Sequence, residues 1–448
     1  MRQTEEQSLI QALNDPDTEQ RLAALQALCA RAAGRPAAPD GGRDVNNHIH
    51  TIYSFSPYSP AKAVWMAATA GLATAGLMDH DTIAGAREFI AAGHICGLPT
   101  TIGAECRASF AGTPVAGRRI NNPDQDSVAY VALHGIPHSQ IDAVADWFRP
   151  ILAARGRRNR QMTLRLNELL QPSGISLDYD RDIVPLSAAA QGGQVTERHL
   201  LYAVSLHLLD RFGAGQPLVD FLRDTLRMTM REKAVRQLTD DANPHLAYDL
   251  LGVLKSDLVE KFYLDATDEC PPIAELSAFA QAHGIILAYA YLGDVTESVT
   301  GDKKAQAFED RYLEDLFVLL RELGFKAVTY MPSRNTRQQL VRLRQLCEQH
   351  GFFQISGEDI NQPRQSFVCE AMRDPLFANL YDAAWALIGH EQLATQDLRL
   401  GLFAEQTVRQ RPDLNERIAF YRDQALAHDR PSQTSPEGET IQGGNNHD

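Results

Sequence analysis

Residues 45–105, VNNHIHTIYSFSPYSPAKAVWMAATAGLATAGLMDHDTIAGAREFIAAGHICGLPTTIGAE, decide the fold class of this chain. Three short runs of strand length, VNNHIHT, TAGLMD and TTIGAE, alternate there with two segments of helical period, residues 60–70 and 82–92. That rhythm predicts βαβ units and a parallel sheet or barrel. Further along, SVAYVAL reads as a fourth strand leading into HGIPHSQ, and residues 140–275 are mostly helical in pattern. Strand character returns in GIILAYAY, KAVTYM and FFQISG. Between these lie the helical segments FEDRYLEDLFVLLREL and TRQQLVRLRQLCEQH, ended by Gly324 and Gly351. The count reaches seven strands, and no internal repeat is visible. The expected organisation is an N-terminal helix and linker (1–43), a first barrel part (44–139), a helical insertion (140–275), a second barrel part with C-terminal helices (276–424) and a disordered tail (425–448).

Composition narrows the function classes. The chain has 448 residues, 44% hydrophobic and 22% charged, enough for a sizeable core. No apolar run approaches the roughly 20 residues that span a bilayer. The start, MRQTEEQSLIQALNDPDTEQ, lacks the basic and apolar pattern of a secretory signal, so a cytoplasmic protein without a membrane partner is expected. Six scattered cysteines without a CxxC pair give no disulfide signal. The net charge of -14 counts against a broad grip on nucleic acid, but not against a small phosphorylated substrate met by local positive charge. Oligomeric state is not indicated.

In a parallel α/β barrel, reactive groups gather at the C-terminal ends of the strands. His48 and His50, two apart on the first strand, point the same way. Asp79, His80 and Asp81 follow the second strand, Glu105 ends the third, His134 and His138 follow the fourth, and Glu358 and Asp359 follow the seventh. All are expected at one rim. A lone HxH on a strand says little, but its coincidence with DHD, GAE and GED at successive strand ends points to a divalent metal (Mn, Zn or Fe) that activates water.

HIHT, GLMDHDTIAGAREF, TIGAE and ISGEDIN, in that order over residues 44–370, make the chain resemble the PHP (polymerase and histidinol phosphatase) family of metal-dependent phosphoesterases. The resemblance implies a distorted seven-stranded, TIM-like β/α barrel with up to three metals at the strand ends. Three family ligand positions are changed: Phe55 stands where an acid or histidine follows the HxH, Tyr289 in LAYAYLGD stands for a histidine, and Asn361 in GEDIN stands for another. Carried over by position, His48, His50, Glu105 and Asp359 form one site, with His80 and a shared Glu105 left from the others, so one ion and a weaker second are implied. His134 or His138 could replace a lost imidazole. Asp79 or Asp81 is expected to orient His80, although Asp81 also suits the N-cap of a helix from Thr82. An Arg-His pair from the insertion, here Arg198 and His199, is expected over the site as phosphate contacts, with Arg334 a further candidate and Lys303 and Lys304 read as a solvated helix start. The arginines at 155, 157, 158, 160 and 165 read as a charged helix face packed on acidic neighbours. Whether Tyr289 and Tyr291 line the pocket is left open. The leading expectation is a phosphoesterase acting on a small phosphorylated metabolite or nucleotide. The alternatives are an amidohydrolase-like single-metal enzyme acting on a C–N or ester bond and a degenerate barrel used for binding.

Overall fold

A computed structural model of the chain describes residues 2–32, 43–295 and 307–429. Most of the glycine- and proline-rich linker, Lys303, Lys304 and the tail from residue 430 lie outside the described residues. Seven strands, β1 (Val45–Ile49), β2 (Thr74–His80), β3 (Thr100–Ser109), β4 (Val128–His134), β5 (Ile286–Ala290), β6 (Ala327–Tyr330) and β7 (Phe353–Ser356), pair in sequence order. The sheet curls until its edges nearly meet: His50 N donates to Ile360 O at 2.9 Å and Ile360 N to His48 O at 3.1 Å, just beyond β7. This is the expected seven-stranded, TIM-like α/β barrel, with one change of direction.

β1, β2 and β3 run parallel, as do β5, β6 and β7, but β4 is antiparallel to both of its neighbours. A parallel neighbour needs a crossover helix, whereas residues 110–127 between β3 and β4 form only turns, so the chain doubles back. The apolar run SVAYVAL carries no sign of its direction. The consequence is positional, because the C-terminal end of β4 lies at the rim opposite to that of β3.

That opposite rim is closed by the helix Ala378–Gln396. Glu391 on this helix accepts from Ile102 N at 2.8 Å and from Thr101, and His390 Nε2 lies 3.0 Å from Gly135 O. Met78, Ala132, Ala288, Ala327 and Phe353 form one buried cluster with Ala383 and Leu387 of the same helix, while Val131, Tyr289 and Val328 belong to the larger cluster shared with the surrounding helices. The alternation follows from the strand period of two, with small residues filling the narrow interior.

Residues 141–262 carry five α-helices, Ile141–Leu170, Glu197–Phe212, Gln216–Asp224, Glu232–Thr239 and Leu246–Phe262, with an apolar cluster of their own that includes Met162, Leu166, Leu208 and Leu254. At the N-terminus the single expected helix is two, Arg2–Ala12 and Thr18–Arg31, broken around Pro16 and restarted by Asp17, which accepts from Glu19 N at 2.7 Å. The tail boundary also shifts, since the helix Leu414–Asp429 runs past residue 425. Among the described residues no helix is long and apolar enough to cross a membrane.

Candidate metal centre

His48 and His50 alternate to the same side of β1, and the chain after β7 presses against them. A Cβ on Gly357 would come 2.5 Å from His48 Cβ, so the glycine of ISGEDIN is what lets the β7 turn bring Asp359 to β1. His50 Nε2 is 3.1 Å from Asp359 Oδ1, His80 Nδ1 is 3.1 Å from Glu105 Oε2, and His48 Nε2 is 3.9 Å from the same Glu105 oxygen. Donor atoms of His48, His50 and Asp359 lie within 4.8 Å of one another, and so do those of His50, His80 and Glu105. The expected set of His48, His50, Glu105 and Asp359 is therefore divided: with His80 added, the five residues form two trios that share His50, and Glu105 falls in the trio with His80.

The turn after β1 fixes the shared ring. Asp79 accepts from Thr51 N at 2.7 Å, from Thr51 Oγ1 at 2.6 Å and from Ser54 Oγ at 2.7 Å. Because Ser54 gives its one proton to Asp79, its oxygen is left to accept from His50 Nδ1, 3.2 Å away. His50 then turns Nε2, buried and 3.1 Å from Asp359 Oδ1, toward the other donor atoms. A buried imidazole nitrogen among further nitrogen and carboxylate donors fits a divalent ion.

Burial dominates the electrostatics. It pushes His48 below the ordinary imidazole range, and His80 well below it with the help of the neighbouring His50 and Arg155 charges, which keeps both rings neutral and able to ligate. It raises Glu105 against the pull of His48 and His50, and raises Asp79 against His50 and its hydroxyl donors. His50 moves up, because the Asp359 carboxylate beside it outweighs burial; Asp359 is held well below the carboxylate range, because His50, His48 and Arg198 outweigh the same penalty.

Several expected site residues stand elsewhere. His134, at the far end of the antiparallel β4, belongs to neither trio; it is buried, its Nε2 has no partner, and burial with nearby His48 holds it down at about 3. His138 lies 3.3 Å from Glu391 on the helix that closes the opposite rim. Asp79 orients His50 through Ser54 rather than His80. Asp81 caps no helix: it adopts a left-handed backbone at φ 51, and its carboxylate meets Arg155 of the insertion at 2.5 Å, while the following helix starts only at Ala86. His199 is no phosphate contact. Its Nδ1 accepts from Thr196 N at 2.9 Å to close the capping box of its own helix, and burial first, then Arg155, lowers it to about 3. Arg198 does line the cavity, near enough for its charge to act on Asp359 and Glu105.

The changed family positions are filled differently. Phe55 turns into the cluster of the insertion, 4.9 Å from the His199 ring. Tyr289, paired with Val131 and Val328, faces the outer layer, and Ala290 is the β5 residue that lines the cavity. Asn361 Nδ2 donates to Asp359 Oδ1 and holds the ligand it stands beside.

The arginines of the first insertion helix are spent on structure. Arg155 pairs with Asp81 and Glu197, Arg158 with Glu197 and Glu269, and Arg107 of β3 with Glu269 at 2.5 Å. Burial opposes ionisation of Glu197, yet these guanidiniums hold it well below its usual range. The insertion also grips the turns after β1 and β2 through Gln194, whose N donates to Tyr53 O at 2.9 Å and whose Nε2 donates to His80 O. Ser54, Thr51 and Gln194 escaped the sequence reading, and only the small polar residues after HIHT hinted at the first two.

A cavity of about 290 Å³ opens above the trios, between the barrel rim and the insertion. Its wall carries five basic side chains, Arg107, Arg155, Arg198, Lys255 and Arg334, against five acidic ones, a local balance in a chain with 57 acidic and 43 basic residues.

No protein-family model and no curated protein matches the chain. Among solved structures it is similar to a Bifidobacterium adolescentis protein inferred to be a metal-dependent phosphoesterase, at 18% identity over 74% of this chain and 95% of that one, with a TM-score of 0.48. It is also similar to an amidohydrolase from Chromobacterium violaceum, solved with sulfate and no metal, at 18% identity over 75% of this chain and 96% of that one, with a TM-score of 0.47.

Proposed function

We propose that the chain is a metal-dependent hydrolase of the PHP type whose substrates are small phosphoesters, of a metabolite or a nucleotide. The observation that carries this reading is the pair of donor trios sharing His50 on the floor of a cavity with Arg198 in its wall. His48, His50 and Asp359 would hold one divalent ion, and His50, His80 and Glu105 a second, weaker one. A divalent ion held there would supply Lewis acidity, bringing the pKa of water at the site down toward about 7. The residues around it do the rest. Asp79 and Ser54 keep His50 in the tautomer that presents Nε2; Phe55 and Leu201 exclude water from the insertion side; and Arg198 offers a guanidinium to the oxygens of an anionic substrate. The balanced charge of the wall becomes positive once a divalent ion is added, which favours a phosphate over a neutral amide.

The test is a chelated preparation reloaded with manganese, zinc or iron and offered phosphomonoesters, phosphodiesters and amides. Phosphoester turnover that disappears in His50→Ala and shows a raised KM in Arg198→Ala is expected. Turnover of amides alone, or phosphoester turnover unchanged after chelation, would overturn the proposal.

A further inference from the structure

Two cysteines far apart in the sequence meet in the fold. Cys29 lies on the buried face of the helix Thr18–Arg31, Cys96 ends the helix Ala86–Cys96, and their sulfurs are 3.1 Å apart across a separation of 67 residues. A second buried contact fixes the same pair of helices. Arg21 and Glu88 meet at 2.5 Å with both side chains 3% exposed, and Glu88 also accepts from Ala61 N at 3.1 Å. The N-terminal hairpin reaches the turn after β1 as well: Asn14 Nδ2 donates to Pro57 O at 2.9 Å and Ser59 N to Asn14 Oδ1 at 3.0 Å. Residues 2–32 therefore dock on the segment that follows His50 and on the helix that follows His80.

We propose that Cys29 and Cys96 form a covalent modification site, a thiol pair that a peroxide converts into a disulfide fastening the N-terminal hairpin to the barrel. One thiol attacks the peroxide, breaking its O–O bond to give a sulfenic acid and one water. The second thiol displaces the hydroxyl as a further water and the S–S bond forms, so two thiols are oxidised and one peroxide is reduced. A disulfide is about 2.05 Å long, so the sulfurs need to close by about 1 Å, a side-chain movement within an already fixed helix pair. Both residues are buried, so the oxidant gains access when the hairpin lifts, and the rate of cross-linking reports that opening. The long loop enclosed by the bond makes its stabilising effect large. Cys106, Cys270, Cys347 and Cys369 are also buried, and burial holds their thiols above the ordinary range and out of thiolate form.

The test uses the full-length reduced chain exposed to hydrogen peroxide, blocked with N-ethylmaleimide and digested with trypsin without reductant. A peptide of residues 22–31 joined to one of residues 88–107 is expected, together with a melting temperature raised on the order of 5 °C. Because residues 88–107 also contain Cys106, the cross-link should persist in Cys106→Ser and disappear in both Cys29→Ala and Cys96→Ser. Six alkylated thiols after oxidation, a different partner for Cys29, or a dimer joined through it would each overturn the proposal. None of these readouts depends on bound metal or turnover.

Discussion

Two regions border the same cavity and treat buried charge in opposite ways. Between β3 and the insertion, Arg107, Arg155 and Arg158 face Asp81, Glu197 and Glu269, and the guanidiniums and carboxylates answer one another inside the chain. At the rim of β1, β2, β3 and the turn after β7, His50 Nε2 is buried without a directed partner, and two neutral imidazoles stand beside two carboxylates. A buried polar group costs free energy until it is satisfied. The first region sets each of its charges against an opposite one and holds the insertion in place, although Arg107 Nε and Arg155 Nε make no hydrogen bond, whereas the second gathers imidazole nitrogens and carboxylates of the kind a divalent ion would satisfy.

The comparison breaks most visibly at Glu269. Glu269→Ala leaves Arg107 and Arg158 without their shared carboxylate, and a loss of about 3–5 kcal/mol in folding stability is expected from denaturant midpoints. His50→Ala should cost less stability and abolish metal uptake. If Glu269→Ala folds as stably as the parent, the network is not the structural member of the pair.

A second prediction concerns pH. Burial raises Glu309 to about 7, against the backbone donors Leu292 N, at 3.0 Å, and Gly293 N, at 3.3 Å, so its folded form binds a proton more readily than its unfolded form, at 4.5. The stability it contributes is present below pH 4.5 and is lost as pH rises through about 7, amounting to about 3 kcal/mol in the limit. Glu309→Gln should flatten that decline between pH 5 and 8 in thermal melts; an unchanged slope would show that Glu309 is not its source.

A smaller effect is expected at the outer carboxylate of the metal centre. Asp79→Asn keeps an acceptor for Thr51 but no longer receives both hydroxyl protons, so the tautomer of His50 is less firmly set. Metal affinity measured by calorimetry should weaken by about 10- to 100-fold with the fold intact. The smallest effect belongs to Arg157, on the same helix as Arg158 but exposed, 3.7 Å from Asp268. Arg157→Ala should change stability by less than about 1 kcal/mol, which would separate the buried face from the solvated one.

Much of this arrangement was legible in the sequence because it follows from periodicity and strand ends. All seven strands could be placed, and His48, His50, His80, Glu105 and Asp359 gather as their positions at strand ends required. What was hidden depends on direction or distant contact. An apolar strand looks the same in either direction, so reading β4 as parallel put His134 at the wrong rim. A shift of one residue decides whether a strand side chain faces in or out, and so the sequence left open whether Tyr289 lines the cavity, where Ala290 stands. His199 escaped recognition as a cap because the usual residue at that position of a capping box is Glu or Gln. The bonds from Asp79 to Thr51 and Ser54 cross two separate turns, which spacing along the chain cannot reveal.

Metal stoichiometry in four preparations tests the shared histidine most directly, by elemental analysis of the parent, His48→Ala, His80→Ala and His50→Ala after loading with manganese or zinc. Loss of one ion class in each of the first two variants and of all bound metal in His50→Ala is the expected result. A His50→Ala protein that retains the parent's metal content would contradict it.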